Sequence, residues 1–235
     1  MPIPRIIHQT WKNKEVPAQW QKYQEKVKEL HPGWHYILWT DDDNSAFVKK
    51  EFPEFYPVFE AFPKNIMRAD VIRYLIMYKI GGLYLDLDYE MLKPFQCTDK
   101  ELVLPVSRQF ALGDKMDLLG NCIFASAPNH IFWKKMIDDL QKNPPRVNNY
   151  MEVLGATGPF FLTRIFDEGN YSDAFLPQRI IFHPPTPRNK EEYNKIIQNG
   201  ITEGIHHVSG TWVEKTIFSR TKNLVKRFIG KPDYE

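Results

Sequence analysis

The segment from Asn65 to Asp88 constrains this chain more than any other, because its hydrophobic period changes once, at a pair of glycines. Ile66, Ile72, Leu75, Ile76 and Ile80 recur near helical spacing, which predicts a helix over 65–80. Gly81-Gly82 stops it where a left-handed cap is easy. Leu83-Tyr84-Leu85-Asp86-Leu87-Asp88 then alternates like a strand, with its carboxylates at the C-terminal end. In an α/β sheet that edge is where ligands bind.

The flanking sequence supports the same class. Arg5 to Thr10 reads as a short buried strand near one end of a sheet, with Trp11 at its C-terminal lip. Ala18 to Leu30 is Lys/Glu-rich and suits a surface helix, and His31-Pro32-Gly33 is turn chemistry. Trp34 to Thr40 predicts a second strand, which runs into Asp41-Asp42-Asp43-Asn44, an acidic turn or helix cap. Farther on, Asn121–Ala125 suits a strand and Asn129–Leu140 a helix with Phe132, Trp133, Met136 and Ile137 inward. Asn143-Pro144-Pro145 and Pro184-Pro185-Thr186-Pro187 mark surface loops, the second long and mobile. With 235 residues and 43% hydrophobic content, one catalytic α/β domain over 1–213 is expected.

A formal charge of +2 gives no reason to expect a nucleic-acid partner, and no zinc-ligand cysteine spacing appears. Cys97 and Cys122 make no disulfide framework, which favours a reducing, cytoplasmic setting. Met1-Pro2-Ile3-Pro4-Arg5 lacks the charged and apolar regions of a secretory signal, and every apolar run falls short of the roughly 18–20 residues that span a bilayer.

A carboxylate pair at a strand end suits a hard divalent cation. Mg²⁺ or Mn²⁺ is typically held by one or two carboxylates while substrate phosphates complete the shell, and such an ion neutralises charge developing on a leaving diphosphate. The spacing alone is weak, since about one Asp-x-Asp is expected by chance in such a chain. Asp41-Asp42-Asp43 satisfies it too, and there a solvated turn is the simpler reading. Asp86 and Asp88 differ in ending an apolar strand, where burial without a cation or donors is costly. Asp70 and Arg73, three apart on the preceding helix, share a face; spacing alone leaves open a surface ion pair worth a few tenths of a kcal/mol.

Taken together, Ile3–Trp11, Leu38-Trp39-Thr40-Asp41, Arg68–Leu75 and Gly81–Asp88 closely resemble glycosyltransferase family 32. The likeness continues thinly through Gly120–Ala125, Thr157-Gly158-Pro159 and His207–Trp212, and the family's common Ser before the helical Asp is Ala69 here. The resemblance implies a GT-A-type sheet with a metal site at the strand ends, and transfer of a sugar with retention from a UDP- or GDP-linked donor. It implies that Thr10 and Trp11 bind the base or ribose and that Asp70 and Arg73 hold the donor sugar. Asp86 would reach the ribose or a metal water and Asp88 the metal, while His207, with His206 competing for the role, would complete the metal or diphosphate site, with Ser209 and Trp212 nearby. Its acceptors would be glycans or lipid-linked saccharides, as in capsule or other polysaccharide synthesis.

Two further readings stay open: another metal-dependent phosphoryl enzyme, which would release pyrophosphate or monophosphate, and a non-catalytic carbohydrate-binding protein whose aromatic residues stack on sugar rings. Residues 214–235 predict a basic amphipathic helix, with Ile217, Phe218, Leu224, Val225, Phe228 and Ile229 on one face; it suits either anionic lipid or the catalytic core.

Overall fold

The computed structural model describes residues 1–108 and 117–210. In chain order the first half contains β1 (Ile6–Thr10), α1 (Ala18–Leu30), β2 (His35–Trp39), α2 (Asp41–Glu51), α3 (Tyr56–Glu60), α4 (Asn65–Lys79), β3 (Gly82–Leu85) and β4 (Tyr89–Met91). β5 (Leu102–Val103), β6 (Val106–Arg108), β7 (Leu118–Leu119), β8 (Ile123–Ser126), α5 (Ile131–Lys142) and α6 (Tyr150–Ala156) follow. The last described elements are α7 (Pro159–Asp167), β9 (Ala174–Phe175), α8 (Arg179–Phe182), α9 (Lys190–Gln198) and β10 (Gly204–His206).

Six strands form the central sheet in the order β2-β1-β3-β8-β5-β9. β1 is parallel to both β2 and β3, whereas β3 and β8 run antiparallel. Alternation along the strands divides the core in two. Tyr84, Leu102 and Phe124 face a cluster built from α2 to α5 and α7, including Val48, Phe59, Tyr74, Trp133 and Phe161. Leu83, Leu85, Val103, Ile123 and Ala125 face the other way, onto Val27 of α1 and Phe182 of α8. Helices therefore cover both faces, as the α/β reading requires.

The acidic run Asp41–Asp43 is the first turn of α2. Thr40 caps it, its hydroxyl accepting from the Asp43 amide at 3.2 Å while the Asp43 carboxylate accepts from the Thr40 amide at 3.0 Å. At the end of α4, Gly81 and Gly82 have φ of 71° and 107°. A Cβ on Gly82 would lie 2.6 Å from the Ile6 carbonyl oxygen, so glycine is what lets β3 run close beside β1.

The predicted strand over 83–88 is shorter than its alternation suggests. It ends at Leu85, opposite Ile123, the first residue of β8. The Asp86 amide makes a last bond to the Cys122 carbonyl at 2.9 Å, and a turn follows, with the Tyr89 amide donating to the Asp86 carbonyl at 3.1 Å. Leu87 leaves the sheet face to pack with Val16 and Trp20. Both aspartates thus sit on the turn just past the strand.

That turn leads into β4, whose partner is the distant β10, paired antiparallel with His206 opposite Tyr89. Residues 211–235, with the predicted C-terminal helix and the expected boundary at 213, lie outside the described residues, and Trp212 with them.

Candidate active site

Three parallel strands bring their C-terminal ends to one edge, and Thr10, Trp39 and Asp86 stand there. A cleft of about 720 Å³ opens at this edge, lined among others by Thr10, Trp11, Asp70, Arg73, Asp86 and Asp88. Six residues singled out from separate stretches of sequence therefore border one cavity.

Arg73 is the hub of its polar wall. Its guanidinium lies 3.3 Å from Asp70 Oδ1 and 3.2 Å from Asp86 Oδ1, donates to the Asn121 carbonyl at 2.6 Å, and stands over the Tyr84 ring at 4.8 Å. Asp70 and Arg73 are not a surface pair: their side chains are 5% and 6% exposed. Asp70 also accepts from the Asn121 amide at 3.1 Å and the Thr157 hydroxyl at 3.0 Å. Burial pushes its pKa up to about 7, against the pull of Arg73 and these donors.

Tyr84 ties this wall to the first strand. Its hydroxyl donates to Asp86 Oδ1 at 2.8 Å, so with its only proton used it accepts from the Thr10 hydroxyl at 3.0 Å. Trp11 stands edge-on to the buried Trp20, ring centroids 5.0 Å apart, and its indole nitrogen donates to the Glu15 carbonyl at 3.1 Å.

The cation-binding chemistry lies beside this network. One ligand atom each from Asp86, Asp88 and His206 falls within 4.8 Å of the others. Two carboxylates and an imidazole are an acceptable donor set for Mn²⁺, and the carboxylates alone suit Mg²⁺. Asp88 is oriented by the Ser209 amide, which donates to Oδ2 at 2.7 Å, and Oδ1 lies 3.3 Å from His206 Nε2. Burial works to raise the Asp88 pKa, but His206 and the Ser209 hydrogen bonds outweigh it and hold the carboxyl well below its usual range. Burial likewise opposes charge on His206, and the neighbouring Cys122 and Asp88 outweigh it, lifting the imidazole well above its ordinary value. A cation taking His206 as ligand must displace that proton.

Of the two adjacent histidines, the resemblance favoured His207 for this role, with His206 as competitor. His207 turns away: its Nε2 donates to Glu90 Oε2 at 2.8 Å and its ring stacks on Tyr23. The imidazole that meets the carboxylates is His206, the last residue of β10, and the side chain that follows it points the other way. Tyr84, Asn121 and Thr157 had no assigned role. Asn121 and Thr157 do fall in the short islands Gly120–Ala125 and Thr157-Gly158-Pro159, the one signal that singled them out.

Residues 17–106 match the family model described as a glycosyltransferase sugar-binding region containing a DXD motif. Inositol phosphoceramide mannosyltransferase 2 of Schizosaccharomyces pombe is 38% identical over 169 residues, 71% of this chain and 47% of that protein. Mannosyl phosphorylinositol ceramide synthase CSH1 of Saccharomyces cerevisiae is 36% identical over 167 residues, 71% of this chain and 43% of its own length. The chain thus spans about half the length of these curated relatives. Among solved structures, PaToxG glycosyltransferase superposes with a TM-score of 0.54 at 19% identity, covering 71% of this chain and 70% of that one, a likeness of fold. The family model and these relatives bear out the resemblance to glycosyltransferase family 32, and the GT-A-type α/β fold stands with it.

Proposed function

We propose that this chain, a glycosyltransferase of the DXD type, catalyses metal-dependent transfer of a hexose, mannose foremost, from a nucleoside-diphosphate donor to a polyol or lipid-linked acceptor, with retention of anomeric configuration. The observation that carries this is the convergence of Asp86, Asp88 and His206 at the mouth of a sheet-edge cleft that also holds Asp70 and Arg73. The mannosyl preference and an acceptor of the inositol phosphoceramide type draw on the names of the relatives.

Asp86, Asp88 and His206 would hold Mn²⁺ or Mg²⁺, which supplies positive charge to the departing diphosphate. The remaining work belongs to the chain. Arg73, fixed by Asp70, Asp86 and the Asn121 carbonyl, presents a guanidinium that cannot stray, so ordering it on substrate costs little entropy. Asp70, secured by Asn121 and Thr157, accepts from donor-sugar hydroxyls. Thr10 and Trp11 border the part of the cleft that takes the nucleoside. Retention asks for no separate base, because the leaving phosphate can itself take the acceptor's proton.

The test is a panel of UDP- and GDP-sugars incubated with the protein, in Mn²⁺ and in EDTA, with release of nucleoside diphosphate followed. A nucleoside diphosphate released from one donor, and only with the cation, is the expected outcome. Release of pyrophosphate or monophosphate would replace this reading with phosphoryl chemistry.

A further inference from the structure

The strand that delivers His206 is weakly held by its own ladder. β4 and β10 form a separate ribbon of three residue pairs, apart from the central sheet. A two-stranded ribbon is marginally stable by itself. Yet on this ribbon depends whether His206 meets Asp88, and whether the Ser209 amide reaches the Asp88 carboxylate.

On the ribbon's front, Tyr89 and His206 are register partners with rings 6.3 Å apart and tilted by 22°. On its back both carboxylate oxygens of Glu90 are engaged. Oε1 accepts from the Tyr193 hydroxyl of α9 at 2.7 Å, and Oε2 accepts from His207 Nε2 at 2.8 Å. The His207 ring stacks on Tyr23 of α1, centroids 4.8 Å apart and nearly parallel at 7°. The His207 amide meanwhile donates to the Asp88 carbonyl at 3.0 Å. The Glu90 carboxylate thus ties β4 to α9 and to His207, and His207 in turn holds α1 through its ring and the turn bearing Asp88 through its amide.

We infer that Glu90, with His207 and Tyr193, is a positioning clamp that holds the His206-bearing strand in register on the strand after Asp88, and thereby sets the affinity of the cation site. The inference rests on the proposed role of Asp86, Asp88 and His206. Partners outside a ligand set orient the ligands, and losing one typically weakens metal binding about 10–100-fold.

The test is Mn²⁺ binding to the full chain, by the electron paramagnetic resonance signal of free Mn²⁺, in wild type, Glu90→Gln and Tyr193→Phe. Gln has one acceptor oxygen where Glu90 has two and carries no charge, so it cannot accept from both His207 and Tyr193. Glu90→Gln should weaken binding at least about tenfold and Tyr193→Phe by less. Apparent KM for Mn²⁺ should rise in step, with kcat at saturating Mn²⁺ unchanged, a split that general loosening of the fold would not produce. Wild-type affinity in both variants would overturn the clamp. Wild type that itself binds no Mn²⁺ would instead sink the cation reading, and the clamp with it. Should Glu90→Gln not fold, Tyr193→Phe, which removes one hydroxyl, decides alone.

Discussion

Adjacent histidines with opposite duties make the sharpest comparison at the scale of single residues. His206 faces two carboxylates and His207 faces Glu90 and Tyr23, so on the proposed cation site truncating the first would remove a ligand and truncating the second only a brace. His206→Ala should therefore weaken Mn²⁺ binding more than His207→Ala, by isothermal titration; the opposite order would return His207 to the metal. His8 sets an acid limit on the fold. Its Nδ1 accepts from the Trp39 indole at 3.0 Å, leaving Nε2 to donate to the Gly81 carbonyl at 2.9 Å, so a second ring proton would cost the Trp39 bond. Burial accordingly lowers its pKa to about 4. A folded pKa below the unfolded value of about 6.5 means that the unfolded chain binds the proton first, so this stability is complete above about pH 6.5 and drains away as pH falls toward 4. The share is about 1.4 kcal/mol per pH unit in that window. Urea midpoints at pH 7.5 and 5.5 should shift less in His8→Asn than in wild type, and equal shifts would contradict the account.

Among the elements, the junction of α4 and β3 does most to build the site, because it sets Asp70 and Arg73 against Asp86. Gly82→Ala should cost about 2 kcal/mol or more, since a Cβ there meets the Ile6 carbonyl at 2.6 Å at a φ of 107°. A urea midpoint equal to wild type would show that the strands can separate without penalty. This junction was legible in sequence: a helical period, two glycines and an apolar run ending in carboxylates each depend on neighbours within a few residues. α1 and α4 were legible for the same reason, and the surface reading failed for Asp70 and Arg73 because spacing says which face they share and nothing of what covers it. Contacts between remote segments left no local pattern. Thr157 reaches Asp70 across 87 residues, and His206 meets Asp88 only because β10 returns to β4. The strand end at Leu85 likewise depends on where β8 begins.

For the molecule as a whole, the cleft exists because helices on both faces leave the C-terminal edge of β1, β2 and β3 uncovered, and the turn after β3 places two carboxylates across its mouth. Among the described residues no helix is long and apolar enough to cross a membrane. The role proposed for the cleft is to share a cation between protein and diphosphate. Binding of UDP and GDP by calorimetry, in Mn²⁺ and in EDTA, for wild type and Asp88→Asn, measures that directly. One nucleotide should bind wild type at least about tenfold more tightly with Mn²⁺ than without, and Asp88→Asn should lose that advantage. Equal affinity with and without the ion in wild type, or an undiminished advantage in a folded Asp88→Asn, would contradict the claim.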